Sequence, residues 1–274
     1  MWDPKYKKHW STSSANEFGR LANGVGRCIK KSTNTIKFTR KKDVPISRSK
    51  DVTYGSFVCN VRNDKAENNR TRFVIGGNQI NYPGEVETPT ADMLVEKLLF
   101  NSAVSKRNAK FMNMDISNFY LMIPLKRPEY ILISIKYISD EIINKYKLGK
   151  ISDKNGSVYI KSNLVMYGLS QADLLANELL EKRQNNRGKE QSKFFPDLGK
   201  YDWIPVQFTL VVDDFGVKYV VEGRALHLKH TIEEKYTVTS EWDGQRYIGI
   251  TIDWDYKRRQ VQISMPRYVT NTIK

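Results

Sequence analysis

Thiols and imidazoles are scarce in this 274-residue chain, which carries two cysteines and three histidines. Cys28 and Cys59 stand far apart and lack CxxC spacing, which excludes a disulfide framework, argues against a structural zinc site and points to a reducing compartment. His227 and His230 lie three apart with no third ligand of suitable type nearby, so a solvated helix face is expected rather than a zinc pair. No stretch approaches the ~20 uninterrupted apolar residues that a membrane-spanning helix needs. The opening Met1-Trp2-Asp3-Pro4-Lys5 also lacks the apolar centre of a signal peptide. Acids are under-represented as well: 30 Asp and Glu face 45 Lys and Arg, leaving a net charge of +15. That balance points to a polyanionic partner, nucleic acid before membrane. Residues 1–50 alone hold thirteen Lys and Arg against three acids, a net +10, and are expected to form a basic N-terminal arm, solvated or bound to nucleic acid.

What is present is enough to build a core. Hydrophobic residues make up 40% of the chain, with five Trp and fifteen Tyr, and the length suits one large or two modest domains. Residues 1–34 show no clear periodicity apart from a short helix over Asn16–Ala22. The spacing Gly24-x-Gly26 is too sparse to define a phosphate loop. Strand composition appears at Thr35–Thr39, Val52–Arg62 and Arg70–Ile75, the last stopped by Gly76-Gly77. Thr88-Pro89 predicts a helix start, and Met93, Leu94, Leu98, Leu99 and Ala103 predict its buried stripe.

A strand over Lys110–Ile116 ends near Asp115. Further elements follow as a strand over Tyr130–Ile135, a helix over Asp140–Tyr146, and a turn at Asn155-Gly156 into the strand Val158–Ile160. A helix after Gln171 runs to about Arg183 with Leu174, Leu175, Leu179 and Leu180 as its stripe. Residues 185–202 read as a loop. A helix over Gly223–Tyr236 and strands over Tyr247–Trp254 and Gln260–Met265 complete the expected elements.

Between that loop and that helix lies the stretch Phe208–Val221, in which β-branched and aromatic residues run into Asp213-Asp214 and then resume. It predicts a hairpin with two carboxylates at its tip. Because Asp tolerates turns, a plain surface hairpin is one reading and a metal site the other. Asp115, in a similar strand-end setting upstream, favours the second.

Four segments occur in one order: Met114-Asp115-Ile116-Ser117-Asn118-Phe119-Tyr120, Met166-Tyr167-Gly168-Leu169-Ser170-Gln171-Ala172, Val211-Val212-Asp213-Asp214 and Tyr247-Ile248-Gly249-Ile250. Together they resemble the reverse transcriptase domain of LTR retrotransposon polyproteins, copia-type in particular. The resemblance implies an α+β, right-hand polymerase fold. Its fingers would span 35–110 and 126–165 and its palm 111–125 and 166–256, after a basic extension over 1–34. The palm would be an antiparallel sheet backed by helices, with a palm–thumb junction at 257–274 and the thumb largely missing. It further implies RNA-directed DNA polymerase activity that adds dNTPs to a DNA primer on an RNA template.

By the same resemblance, Asp115, Asp213 and Asp214 are the catalytic carboxylates. With the backbone carbonyl of Ile116 they would hold two Mg²⁺ or Mn²⁺ ions. Arg72 would contact the triphosphate, Tyr120 would lie under the sugar and exclude a ribose 2′-hydroxyl, and Gln171 would line the nucleotide pocket. Read without the resemblance, Phe119-Tyr120 is expected to be core and Arg72 is one exposed arginine among many. Two positions depart from the family pattern: Asp173 stands where a small residue or proline is usual, adding negative charge near the phosphate path, and Arg267 stands where glycine is common. Ribonuclease H and integrase modules of such a polyprotein would be partners absent from this chain, and a cytoplasmic particle or the nucleus would be its setting. The alternatives are a retroelement remnant that only binds nucleic acid, and a metal-dependent nuclease or integrase, which has no use for the Tyr-Gly-Leu-x-Gln-Ala segment.

Overall fold

The computed structural model describes residues 4–23, 32–62, 67–88, 91–185, 189–191, 198–201, 204–266 and 268. Gly24, Gly26, Cys28 and Arg267 lie outside them. In chain order the elements begin with α1 (Pro4–Leu21), β1 (Ile36–Thr39), β2 (Thr53–Val61), β3 (Asn69–Ile75), α2 (Met93–Ser105) and β4 (Lys110–Ser117). They continue with β5 (Pro124–Ser134), α3 (Asp140–Tyr146), β6 (Ser157–Leu164), α4 (Ala172–Asn185), β7 (Lys189–Gln191), β8 (Leu198–Tyr201) and β9 (Ile204–Val211). The last are β10 (Asp214–Tyr219), α5 (Glu222–Glu233), β11 (Thr237–Glu241), β12 (Arg246–Tyr247), β13 (Ile250–Asp255) and β14 (Gln260–Ser264). The protein is α+β. It divides into two compact units, residues 1–86 with 120–175 and residues 87–119 with 176–274.

The first unit carries a five-stranded sheet in the order β1-β6-β5-β2-β3, antiparallel except for the β2–β5 pair. Its edge strand β3 exposes every second backbone N–H, a hazard that sheets must cover. The cover is α1, which is no solvated arm: Ser13, Ser14, Asn16, Glu17, Phe18 and Leu21 are buried. The Ser13 hydroxyl accepts from Thr71 N at 2.7 Å, and a Glu17 carboxylate oxygen accepts from Phe73 N at 3.1 Å. The geometry follows from two repeats. Four helical residues rise about 6 Å, and two strand residues span about 6.6 Å. The next outward donor, Ile75 N, is taken by the Tyr167 carbonyl at 2.8 Å.

Burial would penalise the Glu17 charge and raises its carboxyl, but Arg20 at 2.6 Å and Arg70 at 3.8 Å oppose that shift. Phe18 packs its ring against Phe38, Phe57 and Phe73. The charge of the N-terminal segment disguises this role in the sequence.

The second unit carries a wholly antiparallel six-stranded sheet, β11-β4-β10-β9-β8-β7, and a small sheet, β12-β13-β14. The six-stranded sheet includes β7 and β8, inside the stretch read as a loop, and β11, which the sequence reading passed over. Alternation along its strands sorts the side chains. Met112, Met114, Ile116, Phe208, Phe215 and Val217 are buried and apolar. Asp115, Thr209, Asp214 and Gly216 take the intervening positions and so project to the opposite face.

Helix α2 starts later than expected, at Met93, because the Asp92 carboxylate caps it by accepting from Val95 N at 2.9 Å. Its buried face holds Val95, Glu96, Leu99, Phe100, Ala103 and Val104, whereas the predicted Met93, Leu94 and Leu98 are exposed. The helix is apolar nearly all round, so periodicity alone could not choose its inner face. In α4, Ala172, Ala176 and Leu180 form the buried row, with Leu174, Leu175 and Leu179 half-buried. The single strand expected over Tyr247–Trp254 is broken at Ile248-Gly249, where both φ angles are positive, 45° and 81°.

Candidate functional site

Asp115 and Asp214 are direct cross-strand partners in the β4–β10 ladder. Val211 pairs with Asp214 across β9 and β10, so Val212 and Asp213 form a two-residue hairpin loop. Val212 has φ +60°, and a positive first loop residue alone is the pattern of a type II′ turn, normally a glycine position. A β-branched residue held there stores strain on the order of 1–3 kcal/mol, of the kind that clusters at functional turns. The loop is tied down from the next strand, where Ile116 N donates to the Asp213 carbonyl at 2.9 Å. Ile116 itself is buried between β10 and β11, with Val238 as its β11 partner.

The three carboxylates feel one another. Asp214 is pushed up to about 6, first by burial and then by the charges of Asp213 and Asp115. Hard oxygen donors whose repulsion a divalent cation would relieve fit Mg²⁺ or Mn²⁺ in donor type and in charge. Among the described residues, no three His, Cys, Asp or Glu side chains converge into a group that could hold a metal. The carboxylates are thus neighbours in register and in charge rather than a closed ligand set.

Behind the hairpin is a buried polar cluster that sequence reasoning missed. Glu96 of α2 is fully buried and accepts from the Thr209 hydroxyl at 3.0 Å and the Tyr247 hydroxyl at 3.3 Å. The Tyr247 hydroxyl also approaches the Asp214 carbonyl at 3.5 Å. Gly216 makes room for the tyrosine, since a Cβ there would meet Thr209 Oγ1 and the Tyr247 ring at 2.9 Å. The available signal was a lone acid between Val95 and Leu99 on an apolar helix.

Burial pushes the Glu96 carboxyl up to about 7, against the two hydrogen bonds that hold it down, and burial likewise raises the Tyr247 phenol well above its ordinary range. A carboxyl that ionises at 4.5 when unfolded and at about 7 when folded binds its proton more tightly in the fold. Stability therefore falls as pH rises from 4.5 to 7, and the full cost, about 3 kcal/mol, is present above that window. Glu96→Gln keeps an acceptor for Tyr247, presents a donor to Thr209 and cannot ionise. In urea unfolding at pH 5 and pH 8 the wild type should lose at least ~1 kcal/mol more than the variant. Parallel losses would remove Glu96 as the source.

The other site residues belong to the first unit, where Arg72 and Tyr120 are joined through Tyr167. Arg72, exposed on β3, holds its guanidinium carbon 5.0 Å from the centre of the Tyr167 ring. Tyr167 meets Tyr120 edge to face at 5.6 Å and 86°. The Tyr120 hydroxyl donates to Asp173 Oδ1. The charge expected to disturb a phosphate path is thus engaged with a phenol. Gln171 is 1% exposed, and its Nε2 has no hydrogen-bond partner among the described residues, a buried donor of the kind that calls for a ligand or water. His227 and His230 are exposed on α5, and His230 contacts Glu233 at 3.0 Å. Among the described residues, no helix is long and apolar enough to cross a membrane. No family model matches this chain, and no curated protein matches it significantly.

Proposed function

We propose that this chain is the fingers–palm part of a reverse transcriptase from a copia-type LTR retrotransposon polyprotein. It adds dNTPs to a DNA primer on an RNA template. The observation that carries this reading is the pairing of Asp115 with Asp214 across adjacent antiparallel strands, with Asp213 at the strained tip between them. Carboxylates on separate strands at one sheet end are what a two-ion phosphoryl-transfer centre needs, and a lone acidic turn would not need them.

Asp115, Asp213 and Asp214, neighbours in register, would have to close into a ligand set to hold the two Mg²⁺ or Mn²⁺ ions, with the Ile116 carbonyl as a backbone donor. When bound, such a pair stabilises charge on the attacking 3′-oxygen and on the oxygen that leaves with pyrophosphate. The protein's own contribution is positional. The Ile116–Asp213 hydrogen bond fixes the hairpin tip, and the Glu96–Tyr247 cluster supports it from behind. In the other unit, Arg72 offers a guanidinium suited to a triphosphate, Gln171 a buried amide nitrogen for a nucleotide, and Tyr120 a ring for the sugar.

The test is primer extension on an RNA template with dNTPs and Mg²⁺, wild type beside Asp213→Asn. Extension that depends on Asp213 is expected, and equal signals from the two proteins would sink the polymerase reading. The net charge of +15 favours one other reading, a domain that binds nucleic acid without polymerising. Under both readings, affinity for an RNA–DNA hybrid falls steeply with salt, on the order of tenfold or more between 50 and 200 mM. A flat dependence would remove the basic surface as a contact.

A further inference from the structure

We propose that Asp173 is the positioning residue for Tyr120 and thereby sets how strictly the chain rejects ribonucleotides in favour of deoxynucleotides. The inference rests on the polymerase reading and adds to it a residue outside the carboxylate centre. Tyr120 opens a short 3₁₀ turn (Tyr120–Met122) and is only half-buried, so surrounding packing does not by itself fix its side chain. Two contacts do. Tyr167 meets the ring edge to face, which limits its tilt, and Asp173 takes the hydroxyl hydrogen, which anchors its far end. A phenol donating to a carboxylate makes a charge-assisted bond, about twice as strong as a neutral one.

Asp173 itself is solvent-exposed. Asp173 lies in the first turn of α4, where a negative side chain is favoured by the helix dipole. At the opposite end of the row, Arg72 sits over Tyr167. The row Arg72–Tyr167–Tyr120–Asp173 thus runs from a cation through two rings to an anion, within one compact unit. A ring that excludes a 2′-hydroxyl by contact works only if it is held to within about 0.5 Å. Loss of the anchor lets it swing aside without removing it.

The test has two readouts on the full chain. In the first, 3-fluorotyrosine is placed at position 120 and its fluorine resonance is recorded for wild type, Asp173→Ala and Asp173→Asn. The resonance should move in D173A and return toward wild type in D173N, which keeps an acceptor oxygen. In the second, single-nucleotide insertion is measured with dNTP and with rNTP. Relative ribonucleotide insertion should rise about tenfold in D173A and in Tyr120→Phe, the scale of one lost charge-assisted hydrogen bond. It should rise no further in the double variant, because both substitutions break the same bond. D173N should keep most of the discrimination.

An unmoved resonance in D173A would overturn the positioning role. A moved resonance with unchanged discrimination, in a protein that extends primers, would overturn the specificity role. A wild-type chain that extends no primer overturns the polymerase reading and this substrate assignment, while the fluorine comparison still decides whether Asp173 holds Tyr120.

Discussion

Asp213→Asn should lower primer extension by a factor on the order of 10³ or more, the scale on which loss of a preorganised electrostatic group acts. Asp115→Asn should do the same. Each substitution replaces a carboxylate by a neutral amide of nearly the same size. The Asp213 contact that fixes the turn is its backbone carbonyl, held by Ile116 N, and that bond survives the change. Asp115 keeps its place in a ladder formed by backbone groups. Folding stability should hold or rise, because either change relieves repulsion on Asp214.

The sign is fixed by the direction of the Asp214 shift. Its carboxyl ionises at about 6 in the fold against 3.8 as a free acid, so stability falls as pH rises between those values and the cost is complete above pH 6. Removing a neighbouring charge reduces that cost. Primer extension and urea unfolding, measured side by side at pH 7.5, check the pair of outcomes. Activity lost together with stability would mean that the carboxylates serve the fold; activity lost with stability kept or raised is the expected result.

Gly168→Ala should destabilise the first unit by about 3–5 kcal/mol, combining backbone strain with overpacking of rigid neighbours. The residue sits at φ +93°, a conformation that L side chains rarely adopt. A Cβ there would fall 2.2 Å from the Ile75 carbonyl oxygen and 2.6 Å from Val74 Cγ1. The approach is mutual, since a Cβ on Gly77 would lie 2.1 Å from the Gly168 oxygen. The first partner in each case is backbone, so relief requires moving β3 away from the Tyr167–Gly168 segment. That movement would break the Ile75–Tyr167 hydrogen bond and draw Arg72 off the Tyr167 ring. Urea unfolding gives the energy, and near-ultraviolet circular dichroism gives the loss of tyrosine packing. A cost under ~1 kcal/mol would mean that the segment can shift without harm.

Much of the fold was legible because it is local. The alternation of β-branched and aromatic residues located the β9–β10 hairpin, Asn155-Gly156 marked the turn into β6, and Asp140–Tyr146 matched α3 to the residue. Helix α2 was legible in extent but not in orientation. Its apolar residues surround it, and the choice of inner face depended on Phe100 packing against Phe111, Tyr247 and Trp254, partners up to 154 positions away. Helix α1 was misjudged for a related reason. Its value lies in matching Ser13 and Glu17 to the donors of an edge strand more than fifty residues downstream, a fit that no local pattern records.

The candidate site divides along the same line. By itself the sequence determined which residue types are available and in what order: three aspartates at strand ends, a tyrosine five residues after the first, and a glycine-bearing segment ahead of a buried glutamine. Those follow from side-chain chemistry and short-range propensity, which operate over a few residues; the burial of that glutamine was a structural finding. Only the tertiary structure decided that Asp115 faces Asp214, that Glu96 supports the hairpin from behind, and that Asp173 holds Tyr120. Strand register and hydrogen bonding between distant segments place charges within reach of one another. Coulombic and hydrogen-bond energies depend on that separation in space, and separation along the chain does not reveal it.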